Sequence, residues 1–147
     1  MLAVRVNDAL SSYGPPHEAP FAGGVFSGVW RHGSPVLGVY KSKDVRYSGE
    51  MSHGLFDGYG LYACGGTTYK GEFVAGKRDG LGCFVTSNGV QRGLFRDNRC
   101  VHQAHRADLA EIDALADEVS YIARELADMC ELPASPWSVA ELSDNEE

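Results

Sequence analysis

Long apolar runs are missing from this 147-residue chain, and so are the motifs that mark secreted proteins and many enzymes. No run approaches the roughly 20 apolar residues that an α-helix needs to cross a bilayer. The first ten residues lack a basic segment followed by a long apolar run, so no secretory signal is indicated. A nucleophile elbow, a phosphate-binding loop, a dinucleotide fingerprint and paired catalytic carboxylates are also absent. These absences predict a cytoplasmic protein that is not an enzyme and needs no cofactor.

A 22-residue unit occurs twice, in exact phase, in the glycine-rich middle of the chain. The first copy reads YSGEM from Tyr47 and DGYG from Asp57; the second reads YKGEF from Tyr69 and DGLG from Asp79. Two decayed copies flank them, one from Phe26 upstream and a half copy from Gln91 downstream. A fixed period of this length indicates a repeat array.

Each unit reads as a β-hairpin. Tyr47, Gly49 and Met51 alternate, which places them on one face of a strand, and the second copy follows the same pattern. The Asp57-Gly58 and Asp79-Gly80 dipeptides are typical turn sequences, so we predict turns there. A glycine on the aromatic face leaves room for a neighbouring ring to lie across the backbone. Because one hairpin is only marginally stable in water, the hairpins are expected to stack.

The repeated residues resemble the MORN motif, in which Tyr-x-Gly-x-Trp/Phe is followed by a glycine three residues on and then by a Gly-x-Gly pair. Two full copies, one degenerate copy and one half copy lie between Phe26 and Arg99. The resemblance implies an elongated, twisted sheet of stacked hairpins. It also implies a protein-binding scaffold or adaptor, since the family is associated with cytoskeletal, flagellar and membrane-linked assemblies.

Beyond the repeats the apolar period changes from two to a helical one. The apolar residues recur at spacings of three and four, which predicts one amphipathic helix over 103–131, with an acidic opposite side. The seam consists of Leu109, Ile112, Leu115, Val119, Ile122, Leu126 and Met129. Two arrangements stay open: the seam docks on the aromatic side of its own repeat sheet, or it forms a coiled coil, including a homodimer, with another chain.

The charge is distributed unevenly, although the whole chain carries a net −7. Residues 40–100 carry nine basic and six acidic groups, whereas residues 101–147 carry two basic and twelve acidic groups. Basic repeats would attract anionic lipid, so a peripheral phospholipid-binding module is the alternative function. The residues that would contact lipid are Lys41, Lys43, Arg46, Lys70, Lys77 and Arg78. Acidic residues are interleaved with them, and the plain alternative is a solvated surface.

The cysteines give no sign of a metal site or of disulfides. No two form a CxxC pair, and a chain without a signal peptide gives no reason to expect cross-links. Cys100, His102 and His105 lie close together, but a zinc site needs a fourth ligand. We therefore expect these three residues to link the last repeat to the helix, with no metal bound.

Our assignment is mainly β with a C-terminal α-helix: an N-terminal segment (1–24) in which Val4 and Val6 form a short strand, a MORN array (25–100), an amphipathic helix (103–131) and an acidic, disordered tail (132–147). Another protein, presenting a helix or an extended segment, is the expected partner, and no nucleic acid is expected. Trp137 in the tail either anchors a partner or folds back on the domain. The candidate protein-binding residues are Tyr47, Tyr62, Tyr69, Phe73, Phe84 and Trp137.

Overall fold

The structure, a computed structural model, describes the backbone of residues 2–131 and the side chains from Val6 to Cys130. The predicted tail (132–147) and Trp137 lie outside the described residues. The elements, in chain order, are α1 (Leu2–Tyr13), β1 (His17–Phe21), β2 (Gly24–Arg31), β3 (Ser34–Lys41), β4 (Val45–Ser52), β5 (Leu55–Cys64), β6 (Thr67–Val74), β7 (Lys77–Thr86), β8 (Gly89–Arg96), β9 (Arg99–Gln103), a 3₁₀ turn (Arg106–Leu109) and α2 (Ala110–Glu131).

The nine described strands form one open antiparallel sheet in which each strand pairs with the next along the chain. The two full repeats are the hairpins β4–β5 and β6–β7, and the decayed copies form β2–β3 and β8–β9. This architecture confirms the predicted fold class, a stacked hairpin array followed by a C-terminal helix. The array extends one strand further than the repeats, because β1 pairs with β2.

The hairpin turns do not lie where the sequence placed them. They fall at His53–Gly54 and Ala75–Gly76, where both glycines adopt a positive φ, of 78° and 86°. The Asp57–Gly58 and Asp79–Gly80 dipeptides lie inside β5 and β7, so the prediction of turns there is wrong. Each repeat contains two glycine dipeptides that could form the turn. The strand register pairs Gly49 with Gly60 and Gly71 with Gly82, and this register places the turns at Gly54 and Gly76.

The two faces of the sheet differ, and we name them by what they carry. The aromatic face bears the repeat rings, among them Phe26, Tyr47 and Tyr69, and the opposite face, the helix face, packs against α2 along β2 to β6. Lys70, which lies between two residues of the aromatic face, points to the helix and pairs with Asp117. The helix therefore docks on its own sheet, but on the face opposite the one we predicted.

The helix face accepts a helix because its side chains are small or aliphatic. Val29, Val39 and Ser48 are buried there, and they offer a smooth surface without projecting rings. The rings of the aromatic face, by contrast, pack largely on one another and on glycine, so that face needs no helix to bury them. Sequence periodicity marks both faces as partly apolar and does not say which one the helix covers.

The buried stripe of α2 is broader than the predicted seam. Most predicted seam residues are buried or half-buried, but Met129 is 40% exposed. Ala116, Ala123 and Ala127 complete the buried stripe, and their small side chains bring the helix close to the strands. The helix also begins later than residue 103, because Gln103 ends β9 and a 3₁₀ turn precedes Ala110.

The N-terminal segment forms a helix, so the predicted short strand at Val4 and Val6 is wrong. Ala9 of α1 is buried in a second core with Val29 of β2 and with Ile122 and Leu126 of α2. In that core α1 fills the angle between α2 and the sheet. A helix forms here because twelve consecutive residues contain no glycine or proline, and their apolar side packs on a surface that α2 and the sheet already provide.

Candidate functional site

Two tyrosines, one per full repeat, form the base of the aromatic face. The Tyr47 ring lies across Gly60 of the neighbouring strand, and the Tyr69 ring lies across Gly82 in the same way. A methyl group on either glycine would overlap the tyrosine ring, which explains why glycine stands there. Both tyrosines are fully buried on glycine, but the glycine belongs to the other strand of the same hairpin and not, as we expected, to an adjacent hairpin.

A glutamate in each repeat fixes the bend in the strand beside the tyrosine. The Tyr47 hydroxyl donates to the Glu50 carbonyl oxygen at 2.7 Å, while the Glu50 carboxylate accepts from the Tyr59 backbone amide at 2.7 Å. The second repeat reproduces both bonds through Tyr69 and Glu72. Burial, followed by the nearby Glu50 charge, raises the pKa of Tyr47 well above its ordinary value. The two tyrosine hydroxyls therefore stay protonated and donate to backbone carbonyls at the base of the face.

Successive hairpin tips are joined by backbone bonds that repeat with the sequence period. The Gly76 amide donates to the Phe56 carbonyl at 2.8 Å, and one period later the Asn98 amide donates to the Arg78 carbonyl at 3.0 Å. The Asp57 carboxylate accepts from the Ala75 amide at 3.0 Å. The aspartates of the Asp-Gly dipeptides therefore join one repeat to the next and do not form turns.

The second repeat replaces a ring with a guanidinium. Phe56 stacks on Tyr47, with ring centroids 3.9 Å apart, and the equivalent position one period later is Arg78. The Arg78 guanidinium lies 4.2 Å from the centre of the Phe84 ring and 5.9 Å from that of Tyr69. It also donates to the Asn98 carbonyl at 2.7 Å, while its buried Nε has no hydrogen-bond partner among the described residues.

Half-buried rings and Arg78 surround an open groove on the aromatic face. Its volume is about 320 Å³. Its lining residues are Tyr40, Ser42, Val45, Phe56, Tyr62, Phe73, Gly76, Arg78 and Asn98. An adjoining apolar depression of about 230 Å³ shares Tyr40 and Phe56 with the groove and adds Phe21, Met51 and Leu55. Such a surface is aromatic and mildly basic, and it can bind a chain segment with apolar anchors.

The predicted protein-binding residues separate into two groups. Tyr47 and Tyr69 are buried and support the groove from beneath, whereas Phe73, also buried, lines the groove with one edge. Tyr62 is half-buried and lines the groove directly, and the half-buried Phe84 lies under Arg78.

Sequence reasoning missed two aromatic residues of the groove, Phe56 and Tyr40. Phe56 stands next to Asp57, at a position that is arginine in the second repeat, so no repeated pattern marked it. Tyr40 belongs to the degenerate copy, and its hydroxyl donates to the Ala22 carbonyl at 2.7 Å. The signal that could have found Tyr40 is its pairing position opposite Tyr47, which follows from the hairpin register.

The six predicted lipid-binding residues do not form one patch. Lys70 pairs with Asp117 at 3.0 Å on the helix face, and Lys77 pairs with Asp97 at 2.7 Å at a hairpin tip. Arg78 lies over the aromatic face. The other three, Lys41, Lys43 and Arg46, are exposed together around the β3–β4 turn. Pairing with Asp97 raises the pKa of Lys77 and lowers that of Asp97.

Within the described part of the chain, no group of three or more His, Cys, Asp or Glu side chains is placed to hold a metal ion. Cys100 donates to the His102 carbonyl at 3.5 Å. No helix in the described range is long and apolar enough to cross a membrane.

Comparison with protein-family models agrees with the geometry. The model of the MORN repeat matches residues 47–66 and 69–91. The first match covers most of β4–β5, and the second covers β6–β7 and the start of β8. No curated protein matches the chain.

Proposed function

The chain is a MORN-repeat protein, and from this premise we propose that it is a non-catalytic scaffold that binds another protein through the groove on its aromatic face. One observation carries the proposal. Both helices pack on the side of the sheet away from the rings, so the half-buried rings around the groove stand open. The core that the sheet shares with the helices lies on the helix face, so the groove on the aromatic face is left accessible to a partner.

The chemistry of the groove favours a protein segment as its occupant. Phe56 and Tyr62 present flat apolar edges, and Arg78 adds a cation held over a ring. Aromatic residues and arginine are enriched among the few residues that dominate the binding energy of protein interfaces. A helix or an extended segment with one or two apolar anchors and a nearby carboxylate would satisfy all of these groups.

The resemblance to MORN proteins supports a cytoplasmic, cytoskeletal, flagellar or membrane-associated assembly as the setting. A homodimer through α2 finds less support, since the apolar stripe of that helix packs on its own sheet. Tyr121 and Met129 are the large apolar side chains of α2 that stay exposed among the described residues.

Site-specific photo-cross-linking in the native cell tests the proposal. A benzophenone amino acid replaces Tyr62 in the groove in one variant and Tyr121, an exposed ring on the other side, in a matched control. We expect one discrete protein adduct from position 62 and none of that mass from position 121. Equal adducts from both positions, or none from position 62, would refute the groove as the binding site.

The lipid alternative predicts a different result. Surface charges are screened beyond about 8 Å at 0.15 M ionic strength, so three exposed cations at one turn should not hold the protein on anionic vesicles. Flotation with phosphatidylserine vesicles at that salt measures this directly. Binding that Lys41→Glu with Lys43→Glu abolishes would favour the lipid module over the scaffold.

A further inference from the structure

We propose that residues 132–147 bind the groove of their own chain, with Trp137 among the half-buried rings, and so compete with an external partner. The inference deepens the proposed function, because it gives the same groove an internal occupant. Three observations on the described residues carry it. They are the position of the C-terminal end of α2, the charges that lie between that end and the groove, and a polar group of the groove that lacks a hydrogen-bond partner.

The last turns of α2 lie beside the sheet margin that leads to the groove. Ala127 and Asp128 line a depression together with Lys41 and Arg46, which pair across β3 and β4. The turn that joins those two strands lies at the sheet margin, and its residues reach both faces. Ser42 and Val45 in this turn line the groove itself. The chain that follows Glu131 therefore starts next to a continuous path to the groove.

The reach is sufficient. Trp137 lies six residues after Glu131, and six extended residues span roughly 20 Å at about 3.3–3.6 Å each. The route itself is short: Asp128 shares a depression with Lys41 and Arg46, and their chain neighbours Ser42 and Val45 already line the groove. The whole segment has 16 residues, which leaves its last ten to continue along the groove or back to the turn.

Charge along this route is complementary. Residues 132–147 contain four acidic residues and no basic one. The turn carries Lys41, Lys43 and Arg46, all exposed, against a single acid, Asp44. At the far side of the groove stands Arg78, whose Nε lacks a hydrogen-bond partner among the described residues. An acidic segment with one large ring matches a basic margin, an aromatic groove and a cation beyond it.

Tethering makes even a weak contact effective. A short flexible linker gives an effective concentration on the order of 1 mM, so a contact with an intrinsic Kd of about 0.1 mM would be about nine-tenths formed. An external partner would then bind about tenfold more weakly than to the open groove. Removing the Trp137 side chain should therefore raise the affinity of the external partner about tenfold.

Tryptophan fluorescence of the full chain tests the proposal. The chain has two tryptophans, so Trp30→Phe leaves Trp137 as the sole reporter. We expect emission shifted to the blue relative to free indole and protected from acrylamide, independently of protein concentration. Tyr62→Ser in this background should shift the emission towards that of free indole, and so should Lys41→Glu with Lys43→Glu, whose exposed side chains leave the fold intact. Val101→Ser, an exposed position on β9 that lines neither the groove nor the depression beside α2, is the control and should change nothing.

Three results would overturn the proposal: emission of a water-exposed indole in the Trp30→Phe chain, emission unaffected by both the Tyr62 and the lysine variants, or protection that appears only at high protein concentration. The last would assign the groove to a second copy.

The cross-linker at position 62 separates this inference from the proposed function. If no partner is ever captured, the scaffold proposal fails while the fluorescence still decides the tail. If a partner is captured, Trp137→Ala should raise its affinity about tenfold.

Discussion

The carboxylate of Asp57 accepts a hydrogen bond from the backbone amide of Ala75 at 3.0 Å, and the same bond joins Asp79 to the amide of Asp97 one period later, at 3.3 Å. Both bonds connect neighbouring hairpin tips. Each repeat thus closes a polar contact that it cannot make alone, which is how an array gains stability from its neighbours.

Replacement of Asp57 with alanine should therefore loosen the link between the two full repeats. The Ala75 amide would lose a charged acceptor at an exposed site, so we expect a loss of about 1 kcal/mol in the free energy of unfolding. Urea denaturation measures it. Asp44→Ala, which removes an exposed acid from the β3–β4 turn, is the control and should change stability by less than about 0.5 kcal/mol. Equal effects of the two substitutions would contradict a specific role for Asp57.

The repeat could be predicted from the sequence because one physical requirement recurs at a fixed spacing. Tyr47 needs Gly60 beneath its ring, and Tyr69 needs Gly82, so both residue types persist in phase. The turn position could not be predicted in the same way. Asp-Gly is a turn dipeptide in isolation, and only the contact between Asp57 and the following repeat shows why it stands within a strand.

Gly60→Ala tests the ring-on-glycine contact. The added methyl group would lie 2.5 Å from Cζ of Tyr47, so either the ring or the strand must move. Overpacking of this kind costs about 1–3 kcal/mol, and we expect a fall of that size in the free energy of unfolding. Gly66→Ala is the matched control, since a methyl group there meets no atom within 4 Å. A Gly60 variant as stable as the Gly66 variant would show that the ring does not depend on glycine.

The stability of the array should also fall in alkali because of its buried phenols. Burial, and then the Glu50 charge, raises the pKa of Tyr47, whereas the unfolded phenol ionises near pH 10. Above about pH 10 the unfolded state releases a proton that the folded state keeps, so the free energy of unfolding decreases as pH rises. Below about pH 9 both states hold the proton and no dependence arises.

Urea denaturation between pH 8 and pH 11 measures this dependence. Tyr47→Phe should be less stable at pH 8, because it loses the hydrogen bond to the Glu50 carbonyl, yet its stability should fall less steeply above pH 10. Parallel pH profiles for the wild type and Tyr47→Phe would show that Tyr47 ionises as freely in the folded state as in the unfolded state.

The choice of sheet face marks the limit of sequence reasoning here. The heptad spacing identified the amphipathic helix, and Ile122 and Leu126 are buried as predicted. It did not distinguish a face of rings from a face of Val29, Val39 and serines, because both are partly apolar in sequence. Packing decides: rings seated on glycine fill their own face, while a smooth face is left for α2 and α1.

Ile122→Asp tests whether that packing supports the repeats. Ile122 is 2% exposed and meets Val29 of β2 and Ala9 of α1, so a carboxylate there would be buried without a partner. We expect a loss of at least about 3 kcal/mol, felt by the sheet as well as the helix because one core joins them. Tyr121→Asp, one residue away but 41% exposed, should stay within about 0.5 kcal/mol of the wild type.

Sedimentation at micromolar concentration should show a monomer for the wild type and for Tyr121→Asp. A wild-type dimer that Ile122→Asp converts to a monomer with an intact sheet would contradict docking within one chain, and it would make α2 an assembly element.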